Sequence, residues 1–457
     1  MKTKLTAPGI AGDLPPPQAG DGAAAHEAGV TANLEASFEA RTYGKVARRL
    51  IPFLMLCYLG AYLDRVNVGF AKLQMLNELR FSETIYGLGA GIFFLGYFLF
   101  EVPSNLILHR VGARKWLARI MLTWAAISAS FVFVTSPGLF YLLRFLLGVA
   151  EAGFAPGVIL YLTYWFPAAR RAKALSLFFM AIPLAGILGG PLSGGIMHAL
   201  HGVHAMSGWK WLFLLEALPS LVLGIAILFY LDDGIAGARW LDTREKALLA
   251  RNIAADGARK QAHGSVRAFA GDRRLWLMAA IYFCVVLGQY GLTFWLPTIV
   301  RKAGVADPLQ VGLFTAVPYL CAIVALPLIG ASADRRRERR FHLAVPMLVS
   351  AAGFAALPAL GSVSASVACL ALAAIGILSS SSQFWSLPTA VLGGMSAAAG
   401  IAAINCVANL AGFFSPAIVG WLNDLTGHSA AGLIFIALAV ALGAGLTFLV
   451  PARDVNR

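Results

Sequence analysis

Charge is what this sequence has least of. Asp, Glu, Lys and Arg together make up 13% of its 457 residues, apolar residues make up 59%, and the mean hydropathy is +0.75. Length alone would suggest about three soluble domains, and the shortage of charge removes that reading. Strict alternation of apolar and polar residues is lacking as well, which excludes a membrane β-barrel. The five cysteines (Cys57, Cys284, Cys321, Cys369 and Cys406) all fall inside apolar runs, so no disulfide framework is implied. No nucleophile–base–orienter set occurs, and no Walker or Gly-rich nucleotide loop lies between strands, so an enzyme is not expected. His198, His201 and His204 are too irregularly spaced for a metal site, and no metal is expected.

What the chain has instead is long apolar runs. Each is about 20 residues or more, enough to cross a hydrocarbon core of roughly 30 Å as a helix. Twelve spans are predicted, at 49–71, 86–108, 114–134, 138–161, 174–198, 210–231, 275–297, 310–331, 342–361, 366–390, 398–420 and 430–451. The fold class is an all-α membrane protein of twelve transmembrane helices in two six-helix halves. Residues 1–45, rich in Pro, Ala and Gly, read as a disordered cytoplasmic tail and not as a signal peptide. The two halves occupy 46–231 and 275–451, the polar segment 232–274 is a cytoplasmic connection, and 452–457 is a cytoplasmic tail. Within the connection, LDTREKALLARNI reads as a short surface helix.

Basic residues set the orientation. The tails and even-numbered loops hold 29 Lys and Arg, whereas the odd-numbered loops hold only Lys72, Arg80, Lys210, Arg301 and Lys302. Both termini are therefore expected in the cytoplasm. This asymmetry also accounts for the net charge of +14 without a nucleic-acid partner.

Deep charges are few, and a charge inside a span is costly unless it is paired or lines a polar cavity. The first span carries Asp64 and Arg65 inside YLDRVN, the second Glu101, the fourth Arg144 and Glu151, and the sixth Glu216. Arg144 and Glu151 are seven residues apart, two helical turns, and can face one cavity. Asp64 and Arg65 point about 100° apart, so Arg65 can face the cavity while Asp64 faces a neighbouring helix. Glu101 and Glu216 read as helix-packing residues. The second half offers Gln289, Ser382, Trp385, Asn405 and Asn409 at mid-span, polar and uncharged.

NLILHRVGARK (105–115) and GASADRRRERR (330–340) stand 225 residues apart at equivalent places in the two halves. Both resemble the G-x-x-x-D-[RK]-x-G-[RK]-[RK] loop of the major facilitator superfamily, a conformational latch in that superfamily. Asn105, His109 and Arg337 depart from the motif. YLDRVNVGFAKLQM (62–75), GYFLFEVPSNLILHRVGARKWLARIMLTWA (96–125), RFLLGVAEAGFAPGVILYLTYWFP (144–167) and GQYGLTFWLP (288–297) resemble signatures of its anion–cation symporter family. FWSLPTA (384–390) and INCVANLAGFFSPAIVGWL (404–422) do so as well. The nearest likeness is to bacterial tartrate, phthalate and 4-hydroxyphenylacetate permeases, with D-galactonate transporters further off.

The resemblance implies roles. Arg65 takes the place of the arginine that holds the substrate carboxylate. Asp64 and Glu151 fall on proton-coupling acids, and Arg144 on the arginine paired with the fourth-helix acid. Tyr62, Tyr97, Gln289 and Asn409 fall on substrate-binding positions, and Ser382 and Trp385 on others in the tenth helix. The expected activity is proton-coupled uptake of a small organic carboxylate by alternating access, in a bacterial inner membrane. The expected partners are that anion, H⁺ and the lipid bilayer, with a monomeric carrier and no cofactor beyond the proton gradient. GILGGPLSGG (186–195) matches instead the fifth-helix glycine motif of drug–proton antiporters, and export by antiport is the alternative.

Overall fold

The computed structural model describes residues 20–258, 272–391 and 396–455. Among the described residues, twelve helices are long and apolar enough to cross a membrane. They are α1 (Gly20–Leu79), α2 (Glu83–Val111), α3 (Ala113–Phe133), α4 (Pro137–Thr163), α5 (Lys173–Ala199) and α6 (Gly208–Tyr230) in the first half. The second half holds α7 (Arg273–Lys302), α8 (Pro308–Arg336), α9 (Arg340–Ala359), α10 (Val363–Pro388), α11 (Ala403–Thr426) and α12 (Ala430–Thr447). All twelve predicted spans are present. Side chains start several of them: Ser82, Ser136, Asp307 and Ser362 each accept the N–H three residues on, supplying a partner for an otherwise orphaned donor.

Two polar segments behave differently from each other. Residues 20–45, expected to be disordered, are helical. EAGVTANLEASFEARTYGKVARR (27–49) carries several strong helix formers and lacks proline, so propensity outweighs the missing apolar run. Residues 20–49 form a unit by themselves, and the twelve-helix body runs from Leu50. In the connection, Thr243–Ala258 forms the expected surface helix. Asp242 and Glu245 close it reciprocally, each carboxylate accepting the other's backbone N–H at 2.7 and 2.9 Å, a capping box. Residues 259–271 lie outside the described residues.

Successive crossings bring the turns after α1, α3, α5, α7, α9 and α11 to one end of the body, here the far end. There the halves meet by bare backbone. A Cβ added to Gly87 of α2 would collide with the Pro416 carbonyl of α11, and one on Gly420 with that of Glu83. The equivalent pair is α8 with α5: a Cβ on Gly312 would strike the Gly190 carbonyl, and one on Gly194 that of Pro308. Moving six helices along converts α2 into α8 and α5 into α11, so these are one contact made twice by the internal repeat. GILGGPLSGG thus has a packing role: its glycines let α5 touch α8, as small residues do in membrane interfaces.

Polar groups reinforce the closure. Lys72 of α1 sits 2.5 Å from Glu83 of α2 and 3.4 Å over the Trp295 ring of α7. Asp424 of α11 accepts the N–H groups of Glu83 and Thr84 at 3.1 and 2.7 Å. The Tyr86 hydroxyl donates to the Phe294 carbonyl at 3.1 Å, Arg301 donates to the Leu73 carbonyl, and His198 meets Asp307 at 2.5 Å. At the opposite end the first latch-like loop is engaged, the Arg114 N–H donating to Asp233 beyond α6 at 2.9 Å.

Gly190→Leu should wedge α5 from α8. Overpacking of this kind costs about 1–3 kcal/mol, which shifts a two-state balance roughly 5- to 150-fold. In a background lacking the five native cysteines, the thiol of Val66→Cys, in the small void beneath this contact, should react faster with an impermeant reagent supplied at the far end. An unchanged labelling rate would show that the glycine contact does not hold this end shut.

Candidate functional site

The α1 helix presents two polar faces. Tyr58, Tyr62, Arg65 and Lys72 recur at helical spacing along one, and Asp64 and Asn67 point about 100° or more from Arg65 onto the other. Burial of both faces presses the polar groups to find partners inside the bundle, and most do.

Arg65 finds Glu151. The two form a direct ion pair, hydrogen-bonded between α1 and α4, with Glu151 only 2% exposed. Three rings surround the guanidinium: Tyr62 at 5.7 Å, Phe93 at 5.3 Å and Tyr97 at 5.5 Å. Phe93 and Tyr97 are one turn apart on α2, and Glu101 follows one turn later with its carboxyl in the field of Arg65.

Helix α4 breaks immediately after Glu151. The regular helix ends there, Gly153 adopts φ = 86°, and a second helix starts at Phe154. Only glycine takes that backbone region without strain. A Cβ at Gly153 would also collide with Ser104. The break frees Glu151 from a continuous helical stack, as half-helices do in many carriers.

Arg144 departs from expectation. It is fully buried and donates to the carbonyls of Gly89 and Ala90 on α2 at 3.1 and 3.3 Å, not to Glu151. The two-turn spacing does bring Arg144 and Glu151 to one side of α4, but Arg65 reaches the acid and α2 occupies Arg144. Asp64 leaves the cavity altogether. It accepts hydrogen bonds from Ser128 of α3 at 2.8 Å and Ser220 of α6 at 3.0 Å, so it faces neighbouring helices, as its angle to Arg65 predicts.

From the second half, α7 supplies the facing wall. Gln289 and Thr293 approach the Tyr62 hydroxyl, and Tyr290 approaches Arg65. Tyr290 lies 4.4 Å from the Phe94 ring of α2. Trp385 of α10 packs edge-on against Tyr282 at 4.8 Å, and Tyr282 stacks on Phe384 at 4.4 Å. Ser381, not Ser382, faces Tyr282. Ser382 is exposed, one residue out of register. Asn409 is half-buried, one residue before a break at Leu410 in α11, and among the described residues it makes no contact with the Arg65 cluster. The structure thus gathers Arg65, Glu151, Tyr62, Tyr97 and Gln289. Arg144 borders the cluster, its guanidinium 5.0 Å from the Phe93 ring that Arg65 also faces, whereas Asp64, Ser382 and Asn409 stand apart.

The cluster is a buried cation with a carboxylate partner, walled by tyrosines from both halves and the Gln289 amide of α7. Residues 54–416 match the Major Facilitator Superfamily. The chain is 48% identical to NicT of Pseudomonas putida, provisionally named a metabolite transport protein, over 91% of this chain and 95% of that one. It is 47% identical to a protein of Agrobacterium vitis provisionally named a tartrate transporter, over 94% of each chain. A third relative, the "Quinolone resistance transporter" of Acinetobacter baumannii, is 41% identical over 91% of this chain and 96% of its own. Among solved structures, a bacterial homologue of the human lysosomal transporter Spinster, inward-facing and unoccupied, superposes with a TM-score of 0.74 at 16% identity, covering 90% of this chain and 97% of that one. The D-xylose–proton symporter superposes at 0.67, with 16% identity over 90% and 99% of the two chains. The twelve helices, the doubled glycine contact and this sequence match lead to one conclusion: the chain belongs to the major facilitator superfamily and is a multi-pass membrane transporter of small organic compounds.

Proposed function

We propose that the protein is a proton-coupled symporter of a small organic carboxylate, with Arg65 as the anion anchor and Glu151 as the acid that reports its occupancy. The contact between Arg65 and Glu151 carries this reading. An incoming carboxylate competes with Glu151 for one guanidinium by a charge-assisted, fork-like hydrogen bond. Glu151 then loses its cation inside a low-dielectric bundle, and taking up a proton relieves the stranded charge. By linkage, protonation of Glu151 strengthens anion binding by the same factor. Tyr62, Tyr97 and Gln289 recognise the rest of the molecule, and the aromatic walls accept an aromatic acid or a compact hydroxy acid. Asp64 is the second proton-binding acid. The names of the Agrobacterium and Pseudomonas relatives agree with an organic-anion or metabolite substrate.

With both termini in the cytoplasm of a bacterial inner membrane, the closed far end is periplasmic. The name of the Acinetobacter relative favours the alternative of export. Direction separates the two: in proteoliposomes, an inward proton gradient concentrates substrate under symport and expels preloaded substrate under antiport. A panel of tartrate, phthalate and 4-hydroxyphenylacetate is the appropriate first screen.

Glu151→Gln mimics the protonated acid and leaves Arg65 unoccupied. Exchange of labelled for unlabelled substrate should survive or rise, while gradient-driven accumulation should collapse. Accumulation at the unmutated level would remove Glu151 from coupling. Arg65→Lys keeps the charge and loses the fork. Disrupting a buried, hydrogen-bonded charge pair costs about 2–5 kcal/mol, so affinity in calorimetry should fall at least about thirtyfold. Near-normal affinity would place the anion elsewhere. Gln289→Ala should alter the ranking of the acids in the panel and keep their proton dependence. The opposite pattern, ranking kept and pH dependence lost, would contradict recognition by α7.

A further inference from the structure

The face of α1 opposite Arg65 is a second polar system. Asp64, Asn67, Gln74 and Glu78 fall within an arc of about 80° and run toward the far end, where α6 begins. The Trp209 backbone N–H of α6 donates to Gln74 at 3.1 Å, and its indole N–H donates to Glu78 at 2.7 Å. Deeper in, Ser220 of α6 donates to Asp64. Between these rungs, one turn from Ser220 on the same face of α6, stands Glu216.

Glu216 is 1% exposed. Its Oε1 accepts from Ser193 of α5 at 2.6 Å, and its Oε2 has no hydrogen-bond partner among the described residues. Asn67 lies beside it, fully buried and within reach of its carboxyl, and its amide oxygen has no donor. The groups that face Glu216 are Asp64 and Asn67 from α1 and Ser193 from α5; α3 brings Ser128 and Trp124 and α6 brings Ser220 to the adjoining Asp64, on which the Glu151 carboxyl of α4 also acts through space. Among the described residues no cation contacts either acid. Two ionised carboxylates in one buried, cation-free space would repel one another and each forfeit hydration. A proton on Oε2 of Glu216 removes one charge and turns that oxygen into a donor. The bare Asn67 oxygen beside it is a buried acceptor that lacks a donor.

We propose that Glu216 shares a proton with Asp64 across the α1–α6 seam, so that the pair, and not Asp64 alone, is the proton-binding unit on this side of α1. The proton moves between two carboxyl oxygens, leaving one site as the acid and the other as the carboxylate, and no further reactant is needed. The seam above the pair ends at Glu78 and Trp209, on the far-end surface, whereas Arg65 and Glu151 lie on the other face of the helix. Proton and anion would thus approach α1 from opposite sides. This rests on the proton-coupled reading above for its role in transport, but the shared proton is measurable without any substrate.

The test is infrared difference spectroscopy of the whole protein in lipid, titrated with pH, following the C=O stretch of protonated carboxyls. Glu216→Gln should remove one such band. The midpoint of the band that Asp64→Asn abolishes should move by about one pH unit in Glu216→Gln, as expected for coupled acids, toward lower pH because the neighbouring charge is gone. Full retention of the bands and an unmoved midpoint would overturn the proposal. Should Glu216→Gln not fold, Ser193→Ala keeps the acid and removes only its 2.6 Å bond. The assigned band should then shift in frequency, and an unshifted spectrum again overturns it. Uptake of radiolabelled tartrate, phthalate and 4-hydroxyphenylacetate by the unmutated protein under an inward proton gradient is a separate arm. Its failure for all three counts against symport and leaves the infrared result for Glu216 standing.

Discussion

A guanidinium and a carboxylate taken out of water together are tolerable where either alone is not. The pairing of Arg65 with Glu151 is the constraint around which the first half is arranged. It ties α1 to α4, and it commits the cation at the centre of the ring cluster to an internal anion. It also leaves Arg144 to be satisfied elsewhere, by the carbonyls of α2. The break in α4 after Glu151 sits where this pair needs room to part, and the close approach of Gly153 to Ser104 keeps that break in place.

The division of α1 into two polar faces follows from the same economy of charge. Hydroxyls and an amide solvate the Asp64 side, and rings and a carboxylate solvate the Arg65 side. Lys72, two turns beyond Arg65 on the same face, repeats the solution at the far end with Glu83 and the Trp295 ring. One helix therefore touches the Arg65 cluster, the Asp64 face and the end closure at once, and a small rotation of it acts on all three.

Much of this was legible in the sequence. Twelve apolar runs give twelve helices because no other secondary structure of this composition satisfies its backbone in lipid. The angle between Asp64 and Arg65 followed from helical geometry, and the structure keeps it. What sequence could not settle was choice of partner. Spacing put Arg144 and Glu151 on one side of α4, but whether Arg144 or Arg65 reaches the acid depends on how closely α2 packs, through glycines whose contacts lie far away along the chain. Ser382 was misplaced by one residue, since a run of four serines (379–382) gives no register of its own. Glu216 was undervalued because its environment is assembled from α1, α3, α5 and α6, and no local pattern announces it. Residues 20–45 were read from composition, which weighs Pro and Gly over the whole tail and misses a helix-forming stretch inside it.

The doubled glycine contact has a mechanical consequence. At the glycines where α2 meets α11 and α5 meets α8, the touching atoms are mainly carbonyls and α-carbons whose hydrogen bonds close within their own helices. Parting these close approaches loses mainly short-range dispersion, while at the rim Asp424 releases the Glu83 and Thr84 N–H groups and His198 releases Asp307. Dispersion responds to spacing and not to ionic strength. At these seams the balance between closed and open is therefore tuned by whatever sets helix spacing, above all the lateral pressure and thickness of the surrounding bilayer. A change of lipid would act there as directly as a change of sequence.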